Sequence, residues 1–198
     1  MSQTRPSSDP VEIDASDPLR LHDVDHVRFY CGNAKQAAYF YAWNFGFQVE
    51  QYRDLTTGSR DTASYLLRQG NIRLILETGL TADHEAAQEV ATYGDGVKDV
   101  SLTVNDAEAA YEQAIRNGAE SGYEPIEETD EHGTVVRAAI RSYGRVLHTF
   151  VSRKGDYGLN TVRAGGRFGP GWEKVSHFPL NEYLSLIHIS EPTRPSSI

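Results

Sequence analysis

The sequence predicts an α+β protein made of two β-α-β-β-β units in tandem, their sheets closing on each other into a semi-barrel. Three observations carry this. Runs of alternating polarity and runs of helical spacing follow one another in the same order twice. The two main helical runs open on a capping side chain and close at a glycine or Asn-Gly stop. The first unit also falls on the second when it is slid along the chain by 73 positions (99 minus 26).

The first unit covers about residues 24–78. Val24 to Cys31 alternates, with Val27, Phe29 and Cys31 on one face and His26, Arg28 and Tyr30 on the other. Asn33 offers a side-chain oxygen to cap a helix. Ala37, Tyr41 and Phe45 then recur every fourth residue up to Gly46, which tolerates the positive φ of a helix end. Strands are expected at Phe47 to Asp54, Thr62 to Arg68 and Ile72 to Thr78, parted by the turns Thr57-Gly58-Ser59 and Gln69-Gly70-Asn71.

A short helix, about Ala82 to Thr92 and closed by Gly94, leads to the second unit at about residues 97–153. Val97 to Val104 alternates again, Val100, Leu102 and Val104 opposing Asp99, Ser101 and Thr103. Asn105 and Asp106 are capping candidates, and Ala107, Ala110, Tyr111, Ala114 and Ile115 trace an amphipathic stripe up to Asn117-Gly118. Strands at Tyr123 to Thr129, Val135 to Ser142 and Val146 to Arg153 complete the repeat. The 73-residue shift lays Asp99 on His26, Val100 on Val27, Leu102 on Phe29 and Asp106 on Asn33. One face of each strand is apolar and suits the helices; the other is mixed and lines the concave interior.

Composition narrows the function. A net charge of -9 without a basic cluster argues against a nucleic-acid partner. No apolar run reaches the roughly 20 residues of a membrane span. The single cysteine, Cys31, permits neither an internal disulfide nor a cysteine-rich metal site. Residues 1–20 start with a Ser-, Pro- and Asp-rich stretch without an apolar core, the composition of a disordered leader on a cytoplasmic protein.

Paired β-α-β-β-β units resemble the vicinal-oxygen-chelate superfamily, which includes the glyoxalases. Finer motifs resemble one family within it. Gly32-Asn33-Ala34-Lys35-Gln36-Ala37-Ala38, Thr57-Gly58-Ser59-Arg60, Gly94-Asp95-Gly96-Val97-Lys98-Asp99, Asp130-Glu131-His132-Gly133-Thr134-Val135-Val136, Ser142-Tyr143-Gly144 and His148-Thr149 stand in the order and spacing of the amino-terminal domain of 4-hydroxyphenylpyruvate dioxygenases. The resemblance runs from Val24 to Gly158. It implies a domain at residues 21–158 and the start of an interdomain linker at 159–183, where Gly169-Pro170-Gly171-Trp172 is similar to the family's Pro-Gly-aromatic exit. Leu159 to Phe168 depart from the family pattern. From Leu184 the chain (residues 184–198) fits no period or cap and reads like a translated sequencing adapter, a non-native tail.

The resemblance further implies an Fe(II) enzyme that turns an aromatic 2-oxo acid, 4-hydroxyphenylpyruvate, and O2 into homogentisate and CO2. Its iron would sit on two histidines and a glutamate of a carboxy-terminal domain outside this chain. The parent is expected to be a homo-oligomer, and this piece alone inactive. A hydroxymandelate synthase fragment and a stand-alone small-molecule binding module of the same superfamily are the alternatives.

Within this chain the positions equivalent to iron ligands fall at His26, Asp99 and, by register, Thr149. That set lacks a second imidazole, so no catalytic, cofactor-binding or metal-ligating residue is expected here. His84-Glu85 begins a metalloprotease pattern, but Gln88 stands where its second histidine belongs. His132 reads as a loop histidine and His148 as a packing histidine beside Phe150. Glu127, Glu128, Asp130 and Glu131 read as a solvated acidic face, Cys31 as buried. Of the aromatics on the first helix, Tyr41 suits the core, while Tyr39, Phe40 and Trp43 suit another domain or subunit.

Overall fold

The computed structural model describes residues 19–176. All but the last two residues of the expected leader, and the whole adapter-like tail, lie outside the described residues.

The first unit consists of β1 (Leu21–Tyr30), α1 (Ala34–Phe45), β2 (Gln48–Arg53), β3 (Thr62–Gln69) and β4 (Ile72–Gly79). After α2 (Glu85–Tyr93) the second repeats it as β5 (Gly96–Val104), α3 (Ala107–Arg116), β6 (Ser121–Asp130), β7 (Gly133–Arg141) and β8 (Leu147–Gly155). Local chemistry sets the helix ends. Asn33 Oδ1 accepts from the Gln36 N–H, Asp106 Oδ1 accepts from Glu108 and Ala109, and Gly46 closes α1 at φ 75°. The helix expected from Ala82 starts at Glu85, because His84 takes the capping position and its Nδ1 accepts from the Ala86 N–H at 3.1 Å.

Within each unit the first and last strands pair in parallel, β1 with β4 and β5 with β8, and hairpins supply the rest. The two sheets expected from the sequence are one. β1 and β5 pair antiparallel, giving among the described residues a nine-stranded order β6-β7-β8-β5-β1-β4-β3-β2-β9, with β9 (Glu173–Lys174) at its end. Val27 lies directly opposite Val100, its own repeat equivalent. The pseudo-twofold axis relating the units therefore passes between these two residues. Right-handed twist curls so wide a sheet into a half-barrel, and Arg53 of β2 comes within 3.7 Å of Glu128 of β6.

The helices cover the outer face. Ala34, Ala38 and Ala42 of α1 pack on Val49, Leu67, Leu74 and Leu76, and Ala107, Ala110 and Ala114 of α3 pack around Phe150. Alanine on the inward stripe lets each helix lie close to the strands. The period of two turns alternate residues of β4, Arg73, Ile75 and Glu77, into the concave face.

Residues 159–176, read from the sequence as the start of a linker, fold back over this concave face. They include α4 (Leu159–Arg163) and β9, which pairs with β2. Val162, Phe168 and Trp172 are buried there against Leu66 and Ile75.

Gly133 and Gly155 face each other where β7 meets β8, at φ 149° and 70°. A Cβ on Gly133 would lie 2.2 Å from the Lys154 carbonyl oxygen, so backbone must move. Gly133→Ala is expected to destabilise the fold by at least about 2 kcal/mol, combining strain with overpacking. Urea denaturation would check this, and a loss below half that figure would contradict it.

Candidate functional site

The concave face of the half-barrel, here called its lumen, has a charged floor: Asp25, His26 and Arg153 meet there. A bulge between Val24 and His26 in the pairing of β1 with β5 interrupts the alternation. Both Asp25 and His26 consequently reach concave-face partners on β5. The fully buried Asp25 carboxylate accepts from Arg153 Nε at 3.0 Å and Nη2 at 2.8 Å, from His26 Nδ1 at 2.7 Å and from Thr103 Oγ1 at 3.2 Å. Burial alone would raise its pKa, but Arg153 and His26 outweigh burial and hold it well below the usual carboxylate range. Burial pushes the His26 pKa down, with Asp25 opposing.

Above this floor lies a second polar layer. Ser101 Oγ stands between His26 Nε2, at 3.1 Å, and Asp99 Oδ2, at 2.6 Å. The Thr149 N–H donates to Asp99 Oδ1 at 3.1 Å, and Thr149 Oγ1 lies 3.1 Å from the Tyr123 hydroxyl. Arg28 faces Glu77 at 3.7 Å, and its buried Nε has no hydrogen-bond partner. Burial would lower the Arg28 pKa; Glu77 and Asp99 more than offset it and keep the guanidinium charged. Arg137 pairs with Glu128, which also faces Arg53, so the acidic run is partly an internal counter-charge.

The structure thus brings His26, Asp99 and Thr149 into one network. They meet as links of a hydrogen-bond chain, though, and an Fe(II) site needs imidazole and carboxylate lone pairs converging on one point. His26 Nε2 is turned to Ser101 and its ring packs edge-on against Phe168 at 5.4 Å, while both Asp99 oxygens already accept. The donor set does not fit iron. Among the described residues no three His, Cys, Asp or Glu side chains form a metal-holding group.

The remaining candidates lie outside this hydrogen-bond network. His148 Nδ1 lies 3.3 Å from the Val100 carbonyl, and His132 sits in the β6–β7 turn beside Asp156. Cys31 is buried and its thiol pushed up to about 12, chiefly by burial. It lines an outer cavity of about 430 Å³ with Phe29, Ala37, Phe40, Tyr41 and Asp95, which holds no activated nucleophile. Phe40 and Trp43 are exposed. Sequence reasoning missed Asp25, Arg153, Gln51, Phe168 and Trp172. The one available signal was a pair of large aromatics set in the Gly-rich stretch 165–172.

A pH dependence follows from His26. Its folded pKa lies below the unfolded value of about 6.5, so under mildly acidic conditions the unfolded state binds the extra proton. Stability from this group is complete above that value and is lost as pH falls through the folded pKa. Between pH ~7 and ~5 the wild type should lose up to about 1.4 kcal/mol per pH unit more than His26→Gln. Parallel denaturation profiles for the two proteins would refute this.

A curled sheet of paired β-α-β-β-β units defines the class: a glyoxalase-like, vicinal-oxygen-chelate fold. A mutant 4-hydroxymandelate synthase from Streptomyces coelicolor shares it with a TM-score of 0.67 at 22% identity, over 79% of this chain and 43% of that one. Methylmalonyl-CoA epimerase from Mycobacterium tuberculosis does so with a TM-score of 0.57 at 18% identity, over 71% of this chain and 93% of its own. The family profile described as hydroxyphenylpyruvate dioxygenase, HPPD, N-terminal matches residues 16–161, and the chain belongs to that family. Its similarity to 4-hydroxyphenylpyruvate dioxygenases is 40% identity for Tetrahymena thermophila, 40% for Dictyostelium discoideum and 44% for Caenorhabditis elegans. These alignments cover 82%, 87% and 82% of this chain but 39%, 44% and 39% of the relatives. The chain spans about two-fifths of the length of the relatives it matches. No helix among the described residues is long and apolar enough to cross a membrane.

Proposed function

We propose that this chain is the amino-terminal part of an Fe(II)-dependent 4-hydroxyphenylpyruvate dioxygenase of tyrosine catabolism. The whole protein converts 4-hydroxyphenylpyruvate and O2 to homogentisate and CO2, with its iron in the other half. The observation that carries this reading is the coverage: relatives of that name match most of this chain and under half of themselves. Iron, when bound by the complete protein, supplies the site for the 2-oxo acid and O2. The chain's own residues contribute a rigid scaffold, because the positions that could have held a metal are spent on one another. On this reading the parent is a cytoplasmic homo-oligomer, residues 21–158 are its first domain, 159–183 begin the passage to the second, and 184–198 are foreign to it.

The test is to sequence the source DNA with long reads across the codon for Tyr183. An in-frame continuation encoding two histidines and a glutamate in a second pair of β-α-β-β-β units supports the proposal. A natural stop codon there sinks it and leaves a self-contained binding module as the better reading. Homogentisate rather than 4-hydroxymandelate among the products of the full-length protein then identifies the reaction. The present chain is expected to bind Fe(II) in equilibrium dialysis no better than His26→Ala. Stoichiometric binding abolished by that change would contradict the assignment of the iron to the other half.

A further inference from the structure

The segment that folds over the lumen is held by contacts of the kind a binding site uses for a ligand. Phe168 is 1% exposed. Its ring meets His26 edge-on at 5.4 Å and Trp172 edge-on at 5.3 Å, and the Arg153 guanidinium lies over it at 4.4 Å. Three different chemistries thus surround one ring, an aromatic cage with a cation on one face.

The backbone on either side of the ring is recognised too. Gln51, 1% exposed, donates from Nε2 to the Gly166 carbonyl at 2.8 Å and accepts at Oε1 from the Phe168 N–H at 3.0 Å. One side-chain amide therefore satisfies two backbone groups, as a neighbouring strand would. The bulge between Val49 and Gln51 in the pairing of β2 with β3 sits where this amide enters the lumen. The Phe168 carbonyl accepts from Arg153 Nη1, and the same guanidinium is gripped from behind by both oxygens of Asp25. A fork held on a carboxylate has little freedom left, so its Nη1 is aimed before the segment arrives.

We propose that the lumen of this half-barrel is an occupied binding chamber whose ligand is the chain's own exit segment. Phe168 fills it, Gln51 and Arg153 recognise the backbone, and Asp25 acts as a positioning residue through Arg153. Emptied of Phe168, the chamber is suited to a small uncharged aromatic ring. The segment also leaves the lumen in a set direction, since β9 pairs with β2 and the Val175 N–H donates to the Glu50 carbonyl at 2.9 Å. This holds whichever reaction the whole protein performs.

The experiment uses the full chain and three variants, Gln51→Ala, Asp25→Asn and Phe168→Ala. Hydrogen exchange is read separately for residues 159–174 and for β4, alongside trypsin cleavage after Arg163 and Arg167. Gln51→Ala is expected to speed exchange and cleavage of the segment at least tenfold while β4 keeps its protection, and Asp25→Asn, which also loosens the core, to speed the segment at least tenfold more than β4. Phe168→Ala is expected to gain thermal stability from millimolar indole, a gain the wild type does not show. Unchanged segment exchange in both polar variants would overturn the proposal. So would equal acceleration of the segment and β4, which would make these residues general core groups. Indole acting alike on wild type and Phe168→Ala would also overturn it. Should Phe168→Ala fail to fold, the two polar variants decide the matter.

Discussion

Asp25→Ala is expected to destabilise the folded chain by about 3–5 kcal/mol, the loss typical when one partner of a buried ion pair is removed. Three features place the change at the upper end of surface-to-core effects. The carboxylate is wholly buried and Arg153, its partner, has a side chain only 2% exposed, so no water replaces the lost charge. Both oxygens accept more than one hydrogen bond, so truncation orphans His26 Nδ1 and Thr103 as well. Arg153 would remain charged with its fork open, adding a desolvated cation to the core. Guanidinium denaturation at neutral pH measures the difference, and a loss under about 1 kcal/mol would show that the pair is relaxed or hydrated. Acid gives an independent check. A carboxylate whose folded pKa is depressed contributes its full stabilisation above the unfolded value of about 3.9 and loses it as pH falls through the folded one. The gap between wild type and Asp25→Ala should therefore narrow only in that strongly acidic window.

Trp172→Ala is the second large change, at about 3–5 kcal/mol for removing a large buried aromatic. Trp172 is 4% exposed and packs in the lumen cluster with Phe168, Leu66, Ile75 and Val162. Its loss leaves a void between the exit segment and the sheet that the short turns at Gly169 and Gly171 cannot collapse without moving Arg53 and Arg137. Trp43, the other tryptophan of the sequence, is the internal control. It is 59% exposed on α1, and Trp43→Ala should stay within about 0.5 kcal/mol, as surface changes do. Circular dichroism follows both variants, since each loses a fluorophore. Comparable losses for the two would mean that the exit segment is not part of the folded core.

Much of the architecture was legible because it is written in short-range chemistry. Asn33 and Asp106 cap helices from one residue away, Gly46 ends α1 by its freedom at positive φ, and strand polarity alternates with the pleat. The repeat shift was enough to foresee two equivalent units, and the motifs between Val24 and Gly158 pointed to the family that the comparisons then supported. The candidate site was legible only in part. Register put His26 and Asp99 on one face, and the structure joins them through Ser101.

Short-range pattern thus fixes the set of elements, their order, their duplication and the side chains each strand offers to its two faces. Tertiary structure alone decided how the offered groups were used. The bulge between Val24 and His26, one of three register shifts between β1 and β5, let Asp25 and His26 both reach concave-face partners, against simple alternation. Pairing of β1 with β5 made one sheet of two, and its curl brought Arg53 to Glu128. The floor of the lumen joins Asp25 to Arg153 across 128 positions, and the exit segment joins Gln51 to Phe168 across 117. Periodicity registers only neighbours a few residues apart, whereas these contacts depend on the sum of every twist and turn between their ends. That is why the chain's local pattern announced a half-barrel, and only its folded form disclosed that its concave face is filled by the chain itself.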